Sequence, residues 1–263
     1  MQDVDRLDAA RALLRWYADA GVDEAVAAEP VDRFRNDQPA AAPARSASAS
    51  VTRIARPSQP SADEAASLAA AIAAACDSHE DLAAAVAAFD GCPLKAGARN
   101  TVFSDGIPGA ALLIIGEAPG RDEDAAGKPF VGRAGGLLDR MLAAIGRSRM
   151  SDALITNVVY WRPPGNRAPT QAEIAVCRPF VDRLIELTTP KAIMLAGGVP
   201  LQAMTGVAGI TRARGVWRDV TLPSGKTYPV LPVFHPAFLL RQPAHKRLAW
   251  KDLQTLAAGL RDA

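Results

Sequence analysis

Short apolar runs recur along the second half of the chain and predict buried strands. They alternate with longer segments whose apolar residues repeat at helical spacing. The predicted strands are ALLII (111–115), DALITNVVY (152–160), KAIMLAG (191–197) and YPVLPVF (228–234). LLDRMLAAIG and EIAVCRPFVDRLIEL lie between them and predict helices. This alternation is typical of a three-layer α/β/α fold with a central, mainly parallel sheet.

Two helix starts carry the spacing of a capping box, in which an N-cap hydroxyl and a carboxylate three residues later each accept a backbone N–H. They are Ser61 with Glu64, which opens an Ala-rich helix running to about Cys76, and Thr170 with Glu173. Both predict where a helix begins.

The folded domain is predicted to begin at the first of these helices, so that residues 61–263 form one domain. Residues 1–60 are an N-terminal extension, within which the spacing of apolar residues over 5–20 predicts an amphipathic helix. The segment 36–61 is rich in Pro, Ala and Ser and is interpreted as a linker. The extension is either a partner-binding arm or a passive tail.

Composition excludes several classes of protein. A hydrophobic content of 49% over 263 residues is ample for a core, and no apolar stretch has the length of a membrane span. The start MQDVDRLDAARALL lacks the features of a signal peptide, so we expect a cytoplasmic protein. The three cysteines, Cys76, Cys92 and Cys177, are odd in number and widely spaced, which suits a reducing compartment.

Charge is distributed unevenly along the chain. Residues 1–40 hold nine Asp and Glu against five Arg, whereas residues 201–263 hold nine Lys and Arg against three Asp. The basic C-terminal third is either a surface that faces a polyanion or an ordinary solvated face.

Three predicted strands run directly into unusual polar segments: GEAPG, NVVYWRPPGNR and HPAFLLR. In open α/β sheets, ligands bind beyond the carboxyl ends of the strands. Each segment also has a plain structural interpretation: GEAPG is a common turn, Asn157 a core amide bonded to neighbours, and AFLLR a helix start with its leucines in the core. Their shared position at strand ends favours a common binding crevice.

Taken together in this order, the segments resemble the uracil-DNA glycosylase superfamily, and within it the iron–sulfur branch called family four. The resemblance is carried by GEAPG-x2-ED-x2-G-x-PFVG-x-AG-x-LL, TNVV-x2-RPPGNR-x-PT and HPA-x-LLR, and it covers about residues 85–260. It implies the uracil-DNA glycosylase fold and an enzyme that flips uracil out of DNA and hydrolyses its N-glycosidic bond in base-excision repair. No Lys in these motifs matches a β-lyase nucleophile, so an abasic site without strand cleavage is expected.

The same resemblance implies a base pocket. Asn157 matches the residue that recognises uracil, Phe130 the aromatic residue that stacks on the base, and His235 the donor that stabilises the departing uracil anion. The implied pocket residues are Gly116, Glu117, Ala118, Gly120, Glu123, Phe130, Asn157 and His235.

The group that places the catalytic water does not follow from a single match, because Ala118 stands where the best-known members carry an Asp. Asn166 matches a family position implicated in placing the water, and Glu117 is the nearest carboxylate in the motif. Glu123 is a candidate for crowding the uracil C5 edge, since Gly120 stands where other branches use a tyrosine.

Contacts to DNA are expected from two loops. Leu239, Leu240 and Arg241 match the family's intercalating loop, which resembles an apolar wedge beside phosphate contacts. Arg167, in the RPPGNR segment, reaches into the crevice or caps its own turn.

The resemblance also implies a four-iron cluster held by four cysteines, and here the chain departs from the family. Cys92 and Cys177 match the second and fourth ligands, whereas Phe89 and Trp161 replace the first and third. We therefore predict no iron–sulfur cluster and no other metal. A substitute pair formed by Cys76 and His79 is the minor alternative.

The expected partner is uracil-containing DNA, with no membrane, and the expected state is a monomer. Two other functions stay open: a DNA-binding homologue with weakened catalysis, and a glycosylase for other deaminated bases such as xanthine or hypoxanthine. The GEAPG segment, Asn157 and His235 argue against the first, and Asn157 favours uracil over the second.

Overall fold

The predicted parallel sheet lies at the centre of the computed structural model, which describes residues 61–262. The predicted N-terminal extension, residues 1–60, lies outside this range. The described strands are β1 (Ser104–Gly106), β2 (Leu112–Gly116), β3 (Ala153–Asn157), β4 (Ala192–Ala196), β5 (Arg218–Thr221) and β6 (Thr227–Val233). They form one sheet in the order β1-β3-β2-β4-β6-β5, in which the four central strands are parallel and both edge strands antiparallel.

Helices cover both faces of this sheet. Their bounds are α1 (Ala62–Ala74), α2 (His79–Ala88), α3 (Arg121–Ala126), α4 (Arg133–Ala143), α5 (Gln171–Thr188), α6 (Gly198–Thr205), α7 (Ile210–Ala213), α8 (Pro236–Arg241) and α9 (Lys246–Asp262). Short 3₁₀ segments occur at Pro93–Gly97, Pro164–Asn166 and Pro243–His245. No helix of the described range is long and apolar enough to cross a membrane.

Both predicted capping boxes are confirmed. At the start of α1, the Ser61 backbone N–H donates to Glu64 Oε2 over 2.8 Å. The Glu64 N–H donates to Ser61 Oγ over 3.3 Å. Thr170 and Glu173 exchange the same two bonds at the start of α5, over 2.7 and 3.2 Å. Each pair satisfies two backbone donors that the first helical turn leaves unpaired.

The central strand β2 divides the core into two layers because side chains alternate along a strand. Leu113 and Ile115 pack with residues of α1, α2 and α5 on one face. Leu112 and Ile114 pack with residues of α4 and α9 on the other. The predicted three-layer α/β/α fold is thereby confirmed.

Some elements differ from the predictions. The edge strands β1 and β5 have no counterpart among the predicted runs, because their sequences, SDG and RDVT, are polar. The predicted strand 152–160 ends at Asn157, and the buried residues beyond it pack as a loop instead. Helix α9 is absent from the predicted elements, although Leu253, Leu256 and Leu260 are buried at helical spacing.

A cluster of aromatic side chains joins α2, α5 and the loop after β3. The Phe89 ring, directly after α2, meets Phe180 of α5 edge to face with ring centroids 5.1 Å apart. Tyr160 packs edge to face against both Phe180 and Trp161. The Trp161 Nε1–H donates to Thr101 Oγ1 over 3.0 Å, so the indole is both buried and hydrogen-bonded.

Substitution of Phe89 is expected to test this cluster. Phe89 is 3% exposed, so Phe89→Ala leaves a cavity between α2 and α5. We expect the free energy of unfolding to fall by about 3 to 5 kcal/mol in urea titrations. Leu68→Ala on α1 is the control, because Leu68 is 52% exposed and its truncation should cost under about 0.5 kcal/mol. Equal losses in the two variants would contradict the packing described.

Candidate active site

The carboxyl ends of β2, β3 and β6 bring the three polar segments together. Gly116 is the last residue of β2 and pairs in register with Asn157, the last residue of β3. His235 follows β6 by two residues and is the N-cap of α8. Residues far apart in the chain therefore meet at the carboxyl ends of the central strands, because parallel strands end on the same side of the sheet.

Close approach at Gly116 shapes the site. A side chain at this position would collide with Asn157 Oδ1 and with the ring of Phe130, so only glycine lets these groups meet above it. The Phe130 ring also stacks against the His235 imidazole, with ring centroids 5.5 Å apart and ring planes inclined by 27°. An aromatic face, an amide and an imidazole thus border one space.

This space is a cavity of about 170 Å³, which we call the base pocket. The predicted pocket residues that line it are Ala118, Gly120, Glu123, Phe130, Asn157 and His235. Glu117 lines an adjoining cavity of about 290 Å³, together with Asn166, Arg167 and Arg241. The structure therefore brings the predicted pocket residues and the candidate water-placing residues into neighbouring spaces.

Asn157 is the most informative polar residue of the base pocket. Its side chain is 1% exposed, yet neither Oδ1 nor Nδ2 has a hydrogen-bond partner among the described residues. An unpaired buried amide costs about 1 to 3 kcal/mol, and such groups are rare in native proteins. The arrangement departs from that of a satisfied core amide and suits an amide that pairs with a ligand.

His235 has a defined tautomer. Its Nδ1 accepts a hydrogen bond from the backbone N–H of Ala237 over 3.1 Å, so Nδ1 carries no proton and the proton of the neutral ring lies on Nε2. Burial lowers the pKa of His235 to about 4, and the positive charge of Arg241 acts in the same direction. The imidazole is therefore a neutral N–H donor at neutral pH.

Glu117 and Asn166 have distinct surroundings in the adjoining cavity. Burial raises the pKa of the half-buried Glu117 carboxyl, and the nearby charge of Arg241 opposes this shift. Asn166 has a positive φ of 56°, and its Oδ1 accepts a hydrogen bond from Arg162 Nε over 2.7 Å. This bond fixes how the Asn166 amide is turned.

Glu123 joins two turns of the site. One carboxylate oxygen accepts the backbone N–H of Gly120 over 3.1 Å, and the other accepts those of Val131 and Gly132 over 3.1 and 3.0 Å. A side chain at Gly120 would lie 2.7 Å from this carboxylate. Glu123 therefore connects the GEAPG turn to the turn that carries Phe130.

Arg149 is a site residue that the sequence did not reveal. Its guanidinium is buried and donates to the carbonyl oxygens of Pro129 and Phe130 over 3.1 and 2.8 Å. It also donates to Asp139 over 2.8 Å and to Asp105 over 3.0 Å. These bonds hold Phe130 at a positive φ of 53°, a strained value for a bulky residue. One arginine in the polar segment RSRMSD carries no signal of this role.

The residues predicted to contact DNA differ in exposure. Leu239 is 1% exposed and packs in the core, which matches the alternative interpretation and removes it from the wedge in this conformation. Leu240 is half-buried and Arg241 is exposed, and Arg241 lines the adjoining cavity. Arg167 is held by two hydrogen bonds to Glu173, over 2.9 and 2.6 Å, at the edge of the adjoining cavity.

Comparison with known proteins places this arrangement in a family. The family model of the uracil DNA glycosylase superfamily matches residues 103–254, which include all three segments at the strand ends. The chain belongs to the uracil DNA glycosylase superfamily.

Similar proteins point to one branch of this superfamily. The type-4 uracil-DNA glycosylase of Sulfurisphaera tokodaii is 36% identical over 188 residues, which are 68% of this chain and 84% of that protein. The type-4 enzyme of Thermotoga maritima is 38% identical over 167 residues, 62% of this chain and 84% of the relative. That of Pyrobaculum aerophilum is 37% identical over 179 residues, 65% and 88% of the two chains.

The four-iron cluster implied by the family-four resemblance does not fit the residues present. Cys92 and Cys177 are buried free thiols, and the neighbouring Cys92 thiol, together with burial, raises the pKa of Cys177 well above its usual range. The other two ligand positions hold Phe89 and Trp161, whose rings are buried in the aromatic cluster. Within residues 61–262, no group of three or more His, Cys, Asp or Glu side chains is placed to hold a metal ion.

The alternative ligand pair is engaged elsewhere. The Cys76 thiol donates to the carbonyl oxygen of Ile72 over 3.3 Å. His79 Nε2 shares a hydrogen bond of 2.8 Å with Ser104 Oγ. Among the described residues, neither side chain belongs to a group of three or more potential metal ligands.

Replacement of Arg149 is expected to loosen the Phe130 turn. Arg149→Lys keeps the charge but loses the fork that reaches two carbonyls and two carboxylates, so buried acceptors lose their donors. We expect the free energy of unfolding to fall by roughly 1 to 3 kcal/mol in urea titrations.

Arg147→Lys in the same loop is the matched control. Its ion pair with Asp152 is partly exposed, so the loss should stay below about 1 kcal/mol. A smaller loss for Arg149→Lys than for Arg147→Lys would show that the buried contacts do not carry this weight.

The protonation of His235 is expected to depend on pH in a defined way. Its pKa in the folded protein lies near 4, below the ordinary value of 6.5, so the unfolded chain binds more protons between these values. The contribution of His235 to stability is therefore complete above pH 6.5 and is lost as the pH falls towards 4. Nuclear magnetic resonance of the labelled imidazole should show an Nε2–H tautomer with a midpoint near 4, and a midpoint near 6.5 would contradict the assignment.

Proposed function

We propose that this protein is a monofunctional uracil-DNA glycosylase that removes flipped-out uracil from DNA and leaves an abasic site for base-excision repair. The observation that carries the proposal is the unpaired, buried amide of Asn157, which lines the same pocket as the Phe130 ring and the His235 imidazole. These three groups match one face and two edges of a pyrimidine.

Asn157 supplies the selectivity for uracil. Its Oδ1 accepts the uracil N3–H, and its Nδ2 donates to uracil O4. Cytosine presents an acceptor at N3 and donors at N4, so the same amide would leave two buried groups unpaired. Recognition of this kind discriminates strongly because the penalty falls on groups that cannot reach water.

His235 supplies the stabilisation of the leaving group. When the bond between C1′ and N1 breaks, the electron pair leaves with the base, and negative charge builds on uracil O2. A neutral imidazole whose Nε2–H is already aimed stabilises this charge without giving up a proton. The backbone N–H of Ala237 holds the ring in this orientation through Nδ1.

Glu117 and Asn166 supply the second half of the reaction. The sugar becomes cationic as uracil leaves. A water molecule then adds to C1′, and one proton of that water passes to a protein side chain that acts as the general base. The half-buried Glu117 carboxyl has a raised pKa, which makes it a better proton acceptor than an exposed Glu. Asn166, held by Arg162, orients the water.

The remaining predicted residues shape the pocket and the contact with DNA. The absence of a side chain at Gly120 leaves room for the Glu123 carboxylate in the pocket. Glu123 crowds the C5 edge of the base and disfavours thymine, which carries a methyl group there. Leu240 fills the gap that the flipped nucleotide leaves in the base stack, and Arg241 contacts the phosphates beside it. Arg167 supports this side of the crevice. We further propose that the enzyme works without an iron–sulfur cluster, as a monomer in the cytoplasm.

Single-turnover release of uracil from a labelled oligonucleotide tests this function. The parent should release uracil, and Asn157→Ala and His235→Ala should each slow the step by at least roughly a hundredfold. Gln254→Ala, an exposed amide on α9, is the control and should release uracil at the parent rate.

Other outcomes separate the alternatives. DNA binding without release of any base would favour the binding homologue. Release from xanthine or hypoxanthine oligonucleotides, but not from uracil oligonucleotides, would favour a different substrate. Stoichiometric iron in the purified protein would overturn the proposal of a cluster-free enzyme.

A further inference from the structure

A polar groove of about 360 Å³ borders the base pocket. Three arginines from separate elements line it: Arg121 at the start of α3, Arg133 at the start of α4 and Arg162 in the loop after β3. Three guanidinium groups from different elements make this groove locally positive, which the net charge of the whole chain, +2, does not indicate.

The arginines are poorly neutralised by neighbouring acids. Arg121 pairs only with adjacent Asp122 in the described structure, over 3.5 Å, and both side chains are well exposed. Arg133 and Arg162 form no ion pair with any carboxylate of the described residues. Glu123 also lines the groove, but its carboxylate already accepts three backbone N–H groups.

The groove is continuous with the proposed active site. It shares Glu123 and Ala134 with the base pocket, and it shares Asn166 with the cavity that holds Glu117. A strand whose base enters the pocket must pass its backbone along the rim. The groove is therefore where the phosphates next to the flipped nucleotide would lie.

We propose that Arg121, Arg133 and Arg162 bind the phosphodiester groups of the uracil-bearing strand next to the flipped nucleotide. The location beside a flipped base rests on the function proposed above, whereas the affinity for phosphates rests on the groove alone. Arginine suits this task because its planar fork binds phosphate oxygens in pairs. Arg162 has a second contact, to Asn166, so Arg121 and Arg133 are the cleaner test.

The test measures binding of the full chain to a labelled single-stranded oligonucleotide that carries one 2′-fluoro-2′-deoxyuridine. The fluorine disfavours the cationic sugar, so the strand stays intact during titration. Fluorescence anisotropy at several salt concentrations gives the dissociation constant and its salt dependence for the parent and for Arg121→Gln/Arg133→Gln. The loss of two phosphate contacts should weaken binding roughly tenfold or more and reduce the slope of log K against log salt by about 1.4.

Two control variants accompany the double variant. Lys191→Gln removes an exposed charge at the amino end of β4, the opposite edge of the sheet, and should leave affinity and slope unchanged. Arg121→Lys/Arg133→Lys retains both charges and should keep most of the slope.

The outcomes distinguish the groove from the chemistry. If the glutamine variant binds with the parent's affinity and slope, or if Lys191→Gln loses as much, the groove proposal is wrong whatever the activity. If the parent binds DNA but releases no uracil, the proposed function fails, and the salt slope of the glutamine variant still decides whether the arginines bind phosphate.

Discussion

The parallel pairing of β2 with β3 is the contact on which the site depends. It sets Gly116 beside Asn157 at the carboxyl ends of the strands, and the missing side chain at Gly116 leaves room for both the Asn157 amide and the Phe130 ring. A shift of one residue in this register would turn Asn157 to the opposite face. The position of the pocket residues therefore depends first on the register of β2 against β3.

Strain at Phe130 is the second constraint, and charged groups hold it from two directions. Arg149 binds the carbonyl oxygens of Pro129 and Phe130, while Glu123 binds the N–H groups that come after them. A bulky residue at positive φ persists only where its surroundings determine it this strongly. The aromatic wall of the pocket is thus held by hydrogen bonds to the backbone on both sides of the Phe130 turn.

The region that holds a metal cluster in the family-four resemblance is here an apolar core. Phe89 and Trp161 pack with Phe180 and Tyr160, and Cys92 and Cys177 remain as buried free thiols. Large rings fill space and bury apolar area, which are the contributions that a cluster would otherwise make to the packing of these elements. The pocket lies at the carboxyl edge of the sheet and is built from other residues, so this change of core leaves its lining groups in place.

The sequence by itself determined the layered fold, the central strands, both capping boxes and most of the residues that line the base pocket, because alternation, spacing and strand-end motifs are local features. Only the tertiary structure decided that Leu239 is buried, that Arg149 supports Phe130 and that three arginines share one groove. The edge strands β1 and β5 also became visible only there. Each of these depends on contacts between residues distant in the chain, and local pattern carries no record of which polar side chains a fold brings together.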